Sequence, residues 1–326
     1  MTSGVRLNLR KRKDIRSVGR CLGHVLRAEG YRTLHVTDEV RSSNITPEEG
    51  IDVLRHPPMG VRDFLFGSFH DFSLTNVFLN NPLGFRIFPF LEGNRASARL
   101  HGARVLAALK EAGPYDNSIV VVLSNHGEPA EGHGSDLRNS EQNRTLLVWK
   151  PAGPAVHRDV GRLARTIDIA PTVLDLLGLG TEGRAFDGLS LRPWIAGQEP
   201  PDGEGPASVI METEFSLETP AGIGLAVRSM VEQGVEFHEF DRAGLVTARD
   251  EFHDILIRRR NRAILTPDWK LVREVLIRGG DERVRTALFD VKKDPRCATD
   301  VSAERPGVVR DLWERLRRYS GPEIGP

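Results

Sequence analysis

Residues 119–128 read Ile-Val-Val-Val-Leu-Ser-Asn-His-Gly-Glu, five apolar residues running directly into a cluster of metal-friendly side chains. An unbroken apolar run of this length predicts a strand buried on both faces, as in a parallel sheet with helices on each side. In open α/β sheets, ligands collect at the carboxyl ends of strands, where loops rather than packed side chains meet solvent. Ser124 to Glu128 hold that position. Asn125 offers an amide oxygen, His126 an imidazole nitrogen, and Gly127 lets the backbone turn sharply. A few residues on, Glu131-Gly-His133-Gly-Ser-Asp136 adds a second histidine and two carboxylates. On the residues alone two readings are open: a metal-binding loop, or a polar loop that caps the sheet with His126 merely hydrogen-bonded.

The flanking sequence carries the α/β pattern outward. Leu100, Ala103, Leu106 and Leu109 recur at helical spacing over 95–112, and Gly113-Pro114 stops that helix immediately before the apolar run. A second run, 145–149, leads into the loop 150–154. It is followed by a helix over 166–178 with Asp168 near its start, Pro171 in its first turn and Gly178 after its end. Upstream, 17–30 predicts a helix through Val18, Leu22, Val25 and Leu26, and 31–36 a strand. The aromatic-rich excursion over 40–95 is expected to cover one face of the sheet. After a loop at 197–207 comes a strand candidate at 208–212. Past residue 255 the texture changes to short strands joined by turns, including 287–291, and a closing helix over 306–319 that buries Val309, Leu312, Leu316 and Tyr319. The expected fold is therefore α/β: a mostly parallel sheet between helices over 1–255, with a small C-terminal antiparallel α+β subdomain over 256–326.

Composition narrows the function. Lysine plus arginine and aspartate plus glutamate each total 45, so no overall field recruits nucleic acid or an anionic membrane. The two cysteines, Cys21 and Cys297, give neither a disulfide framework nor a zinc spacing and read as packing residues. The N-terminus has basic residues but no apolar run behind them, and no stretch of about 18 apolar residues occurs. A cytoplasmic location is the resulting expectation.

The run 115–128, YDNSIVVVLSNHGE, resembles the sulfatase family of the alkaline-phosphatase-like superfamily, in which a matching strand ends in Ser-Asp-His-Gly-Glu. Other stretches agree in order: AEGYRT at 28–33, TIDIAPTVLDLLGLG at 166–180, FDGLSLRPWIAG at 186–197, DWKLV at 268–272 and ALFDVKKDP at 287–295. The resemblance implies metal-dependent hydrolysis of sulfate esters, small-molecule or saccharide. Metal and cations neutralise the transferring group while a metal-activated oxygen attacks. It puts Asn125 and His126 on metal-ligand positions and His133 near groups that contact the ester or leaving group. Two alternatives stay open: a phosphodiester or phosphonate monoester hydrolase, and a non-catalytic interaction module that retains the fold.

Three departures qualify that expectation. The family's nucleophile motif, Cys/Ser-x-Pro/Ala-x-Arg, is not found in these residues, nor is the preceding strand ending in paired aspartates. The chain alone is therefore expected to be inactive, with the missing part lost or carried on a separate chain. Thr37-Asp38-Glu39-Val40 stands where most sulfatases carry Gly-Lys-x-His. Asn125 replaces an aspartate, which keeps one oxygen ligand but removes a full charge from the metal shell. The amide oxygen suits calcium and the imidazole suits zinc or manganese, so one divalent ion of open identity is expected. Asp168 and Asp175 read as helix cap and surface residue, Lys270 as a strand residue, Arg258 to Arg260 with Arg262 as a solvated face, and His70 as an outside candidate for the site.

Overall fold

The computed structural model describes residues 21–36, 47–55, 104–124, 127, 137–154, 156–180, 186–198, 205–215, 238–240, 246–278 and 281–320. Helix α1 (Leu22–Ala28) lies within the predicted 17–30 and leads to strand β1 (Leu34–Val36). β1 pairs in parallel with β2 (Val53–Arg55), from Leu34↔Val53 to Val36↔Arg55. Thr33 ties the entry to this pair: its hydroxyl donates to Gly50 O at 2.6 Å, and its N–H donates to Asp52 Oδ2 at 2.9 Å. The helix before the decisive run is present as α2, described over 104–111.

The apolar run forms β3 (Val120–Leu123), and the second run forms β4 (Leu147–Lys150). The two pair antiparallel, from Val120↔Lys150 to Leu123↔Leu147, where a parallel neighbour was expected. Val122 and Leu123 are 41% and 49% exposed, so burial on both faces does not hold either. An apolar run sets how much a strand can bury but not the direction of its partner. The return segment 137–146 brings β4 back beside β3 in the opposite sense. Lys150 locks the start of β3: its buried ammonium donates to the carbonyls of Tyr115, Asp116 and Ser118 and lies 4.6 Å from the Tyr115 ring. All three ammonium donors are thereby used.

Helix α3 (Ser140–Asn143) is capped by Asn139, whose Oδ1 accepts from Glu141 N and Gln142 N at 3.0 and 3.1 Å. Helix α4 (Ile169–Leu176) is followed by Gly178 with φ 69°, a left-handed conformation that suits glycine at a helix end. One stripe of α4 and the turn before it grips the following loop. Asp168, fully buried, accepts from Arg165 N at 2.8 Å, Leu189 N at 2.9 Å and the Arg165 guanidinium at 2.7 Å. Thr172 donates to Asp168 O and accepts from Leu191 N. Burial would raise the Asp175 carboxyl, but hydrogen bonds from Ser190 and Arg192 outweigh it and hold the group below its ordinary value. Asp168 stands at the position before α4 where a cap was expected, but its carboxylate makes no cap hydrogen bond to that helix and instead closes the preceding turn and holds the Leu189 loop. Asp175 is more than a surface residue, because it anchors the N-terminal end of α5 (Arg192–Ile195).

The C-terminal part is a four-stranded antiparallel sheet in the order β10-β9-β8-β5, formed by β5 (Val209–Phe215), β8 (Arg260–Leu265), β9 (Trp269–Arg278) and β10 (Asp281–Asp290). β6 (His238–Phe240) and β7 (Val246–Ala248) form a separate antiparallel hairpin. The 208–212 candidate is therefore the edge strand of this sheet, which draws on residues upstream of 255. Residues 255–258, expected as strand, instead belong to helix α6 (His253–Arg258).

One face of the sheet packs Ile264, Leu271 and Leu288 against Leu312 and Leu316 of α7 (Pro306–Ser320), the expected closing helix. Tyr319 is 37% exposed, not buried as expected. On the opposite face Ala263, Val272, Ala287 and Phe289 pack with Cys297 and with Leu137, which belongs to the segment between β3 and β4. The α7 face continues into a cross-strand row, Glu212↔Arg262↔Arg273↔Thr286. Arg262 and Arg273 are almost wholly buried and Arg259 is mostly so, which corrects the solvated-face reading for these arginines; Arg258 is the exposed one. The reason is register: an arginine in line with a core row is carried inside with it.

Candidate metal centre

Asn125, His126 and His133 lie outside the described residues, as do Glu128, Glu131, Asp136, the segment 37–40 and His70. What the structure describes is the frame on either side of Asn125-His126. Ser124 closes the β3–β4 pair: its N–H donates to Leu146 O at 3.1 Å, and its hydroxyl accepts from Leu146 N at 2.8 Å. Gly127 donates to Gln142 O at 2.7 Å. A Cβ on Gly127 would lie 1.9 Å from Glu141 O and 2.6 Å from Arg144 O, so only glycine fits there. The dipeptide that would supply the ligands is thus bracketed in sequence by two residues with fixed backbone partners, Ser124 on Leu146 just before β4 and Gly127 on Gln142 of α3.

The segment downstream of His133 is fixed to the C-terminal sheet. Leu137 sits in its core, Arg138 Nε lies 3.2 Å from Glu274 Oε1, and Ser140 Oγ lies 3.3 Å from Cys297 Sγ. Sequence reasoning missed these docking residues. Asn139-Ser-Glu-Gln142, with a cap residue followed three positions later by glutamine, was the signal that a helix starts there.

The remaining candidates resolve as structural. Cys297 is buried in the core, and burial, with Glu49 second, pushes the Cys21 thiol up, away from a thiolate nucleophile. Lys270 is a buried residue of β9, as expected. Among the described residues no group of three or more His, Cys, Asp or Glu side chains could hold a metal ion. The donor chemistry of Asn125 and His126, one amide oxygen and one imidazole nitrogen, fits part of a divalent shell and not the whole of it.

Residues 103–179 match the sulfatase family model. Over 106 residues the chain is 39% identical to the multifunctional alkaline phosphatase superfamily protein PehA of Trinickia caryophylli, covering 30% of this chain and 20% of that protein. It is 22% identical over 217 residues to arylsulfatase K of Bos taurus, covering 65% of this chain and 33% of that protein. The matches thus span a fifth to a third of these relatives' own length. The crystal structure of Ps i-CgsB superposes with a TM-score of 0.52 at 14% identity, over 95% of this chain and 75% of that one. Residues 103–179 are thus similar to the sulfatase family, and the chain has the alkaline-phosphatase-like α/β fold.

Proposed function

We propose that this chain contributes to metal-dependent hydrolysis of sulfate esters, small-molecule or saccharide, in the cytoplasm. Asn125 and His126 supply part of the shell of one divalent ion, calcium, manganese or zinc, and His133 stands at the ester or leaving group. When bound, such an ion neutralises charge on the transferring group. The oxygen nucleophile and the remaining ligands come from outside these residues, on a joined or a separate chain. The observation that carries the reading is the fixed frame at Ser124 and Gly127, inside the segment that matches the family. One second reading is a phosphonate monoester or phosphodiester hydrolase on the same frame, in keeping with the 39% identity to PehA, described as a multifunctional alkaline phosphatase superfamily protein.

The test is side-by-side hydrolysis of an aryl sulfate, an aryl phosphonate monoester and a phosphodiester with Ca2+ or Mn2+. It compares the chain alone with the chain joined to the coding sequence just upstream of Met1. No turnover is expected from the chain alone. In the joined protein, sulfate hydrolysis that is lost in His126→Ala is expected. A preference for either phosphorus ester would establish the second reading instead, and no turnover by either protein would leave an interaction module.

A further inference from the structure

The face of the C-terminal sheet that carries α7 also carries more positive charge than its carboxylates balance. Arg260 and Arg262 lie two residues apart on β8 and so share a face, and Arg273 of β9 is the cross-strand partner of Arg262. Arg258 and Arg259, just before β8, both reach Glu282 of β10. Arg262 has Glu212 at 2.6 Å. Arg260 and Arg273 have no ion pair among the described residues.

The unmet donors belong to those same two residues. Arg273 is 1% exposed, its Nε–H has no acceptor, and its Nη1 makes only 3.4 Å contacts to the carbonyls of Arg258 and Arg260. The Nε–H of Arg260 is likewise buried without an acceptor. Burial, then Arg262, lowers the pKa of Arg273; burial lowers that of Arg262 too, with Arg260 a smaller contribution. A guanidinium stays charged through such shifts, so the unpaired charge must be met by something outside the chain or carried at a high cost. A polymer cannot reach a group this buried, and a cation would add to the imbalance. A small oxyanion meets both demands, because the Nε–Nη edge of a guanidinium is a fork that matches two of its oxygens. The cluster meets solvent at Arg258, whose side chain is 52% exposed.

We propose that Arg260 and Arg273 hold one small inorganic oxyanion, phosphate or sulfate, on the α7 face of the C-terminal sheet. The anion accepts the two free Nε–H groups and offsets the repulsion along the arginine row. The site does not depend on Asn125, His126 or the hydrolytic reading. Without oxyanion, Arg273→Met removes an ill-compensated charge; with oxyanion, it removes the site.

The test is calorimetric titration of the full chain with inorganic phosphate and, separately, with sulfate, in Tris chloride of matched ionic strength. One site per chain is expected, and the tighter of the two titrants is the ligand. Arg273→Met and Arg260→Met are each expected to weaken binding about tenfold, the loss of one charge-assisted hydrogen bond. Arg258→Met, at the screened surface, should change it by less than about twofold. The melting temperature should rise with the anion in wild type and Arg258→Met, and not in the other two. Circular dichroism checks the fold, and the half-buried Arg260 keeps the test open if Arg273→Met does not fold. A selenate soak of crystals should give an anomalous peak between the Arg260 and Arg273 side chains. No binding beyond the chloride control, equal binding in all variants, or selenate at exposed arginines only would show an adventitious ion or water in its place and overturn the proposal.

Discussion

The N–H of Leu191 donates to the hydroxyl of Thr172 at 2.8 Å, a buried bond that joins a loop to the middle of a helix 19 residues earlier. The same hydroxyl donates to Asp168 O at 2.6 Å. Thr172→Val keeps the shape but strands the Leu191 N–H. A loss of about 1–3 kcal/mol is expected in urea unfolding, the cost of a buried unpaired donor. Wild-type stability in that variant would show that the loop is held by Asp168 and Asp175 alone.

Gly127→Ala tests the frame of the candidate centre. The new Cβ meets backbone oxygens of Glu141 and Arg144, not flexible side chains, so the backbone itself must move. A cost of about 1–3 kcal/mol follows, comparable to overpacking elsewhere. Divalent-metal binding should weaken along with the melting temperature. A crystal structure of the variant with unmoved backbone at 141–144 would refute the predicted steric conflict.

The buried arginine row separates two kinds of charge. Burial, then the neighbouring Arg262, pushes Arg273 down from its ordinary pKa. Its Nε has no hydrogen-bond partner, and its Nη1 makes only long contacts of 3.4 Å to the carbonyls of Arg258 and Arg260. Arg273→Met is expected to be neutral or to stabilise by about 1 kcal/mol, because an ill-compensated buried ion is replaced by an apolar chain of similar length. Glu212→Gln should instead cost about 3 kcal/mol, since Glu212 lies 2.6 Å from the buried Arg262. Paired chemical denaturation curves decide both.

Acid sensitivity should be traceable to Asp52. The Thr33 N–H and hydroxyl, with Arg27 nearby, hold its carboxyl below the ordinary value. Below about 3.9 the unfolded carboxyl takes up its proton before the folded one does. Its contribution is therefore present above that value and lost as pH falls through the depressed one. Asp52→Asn should flatten the low-pH limb of a stability profile and leave its neutral-pH slope unchanged.

The helices were legible because their signals are local. Leu22 and Val25, Ala170 and Leu174, and Leu312 and Leu316 recur at helical spacing, and glycines follow α1 and α4. Strand direction was not legible, because Val120 to Leu123 would read the same beside a parallel or an antiparallel neighbour. The arginine row was hidden for a related reason. Nothing local to Arg258-Arg-Arg-Asn-Arg262 says that Arg262 is in register with Arg273. At the candidate centre the sequence pointed to Asn125, His126 and His133 by residue type and resemblance. The docking through Leu137 needed the tertiary structure, since a single leucine between polar residues carries no periodicity.

Leu137 also bears on how such chains can be recombined. A chimaera that exchanges everything after residue 205 with a relative would swap the sheet but keep the old leucine, which must then fit a cavity shaped by foreign side chains at positions 263, 272 and 289. Exchanges that carry 137–143 together with the sheet should express as soluble protein more often than those that cut between them. The workable crossover unit is discontinuous in sequence.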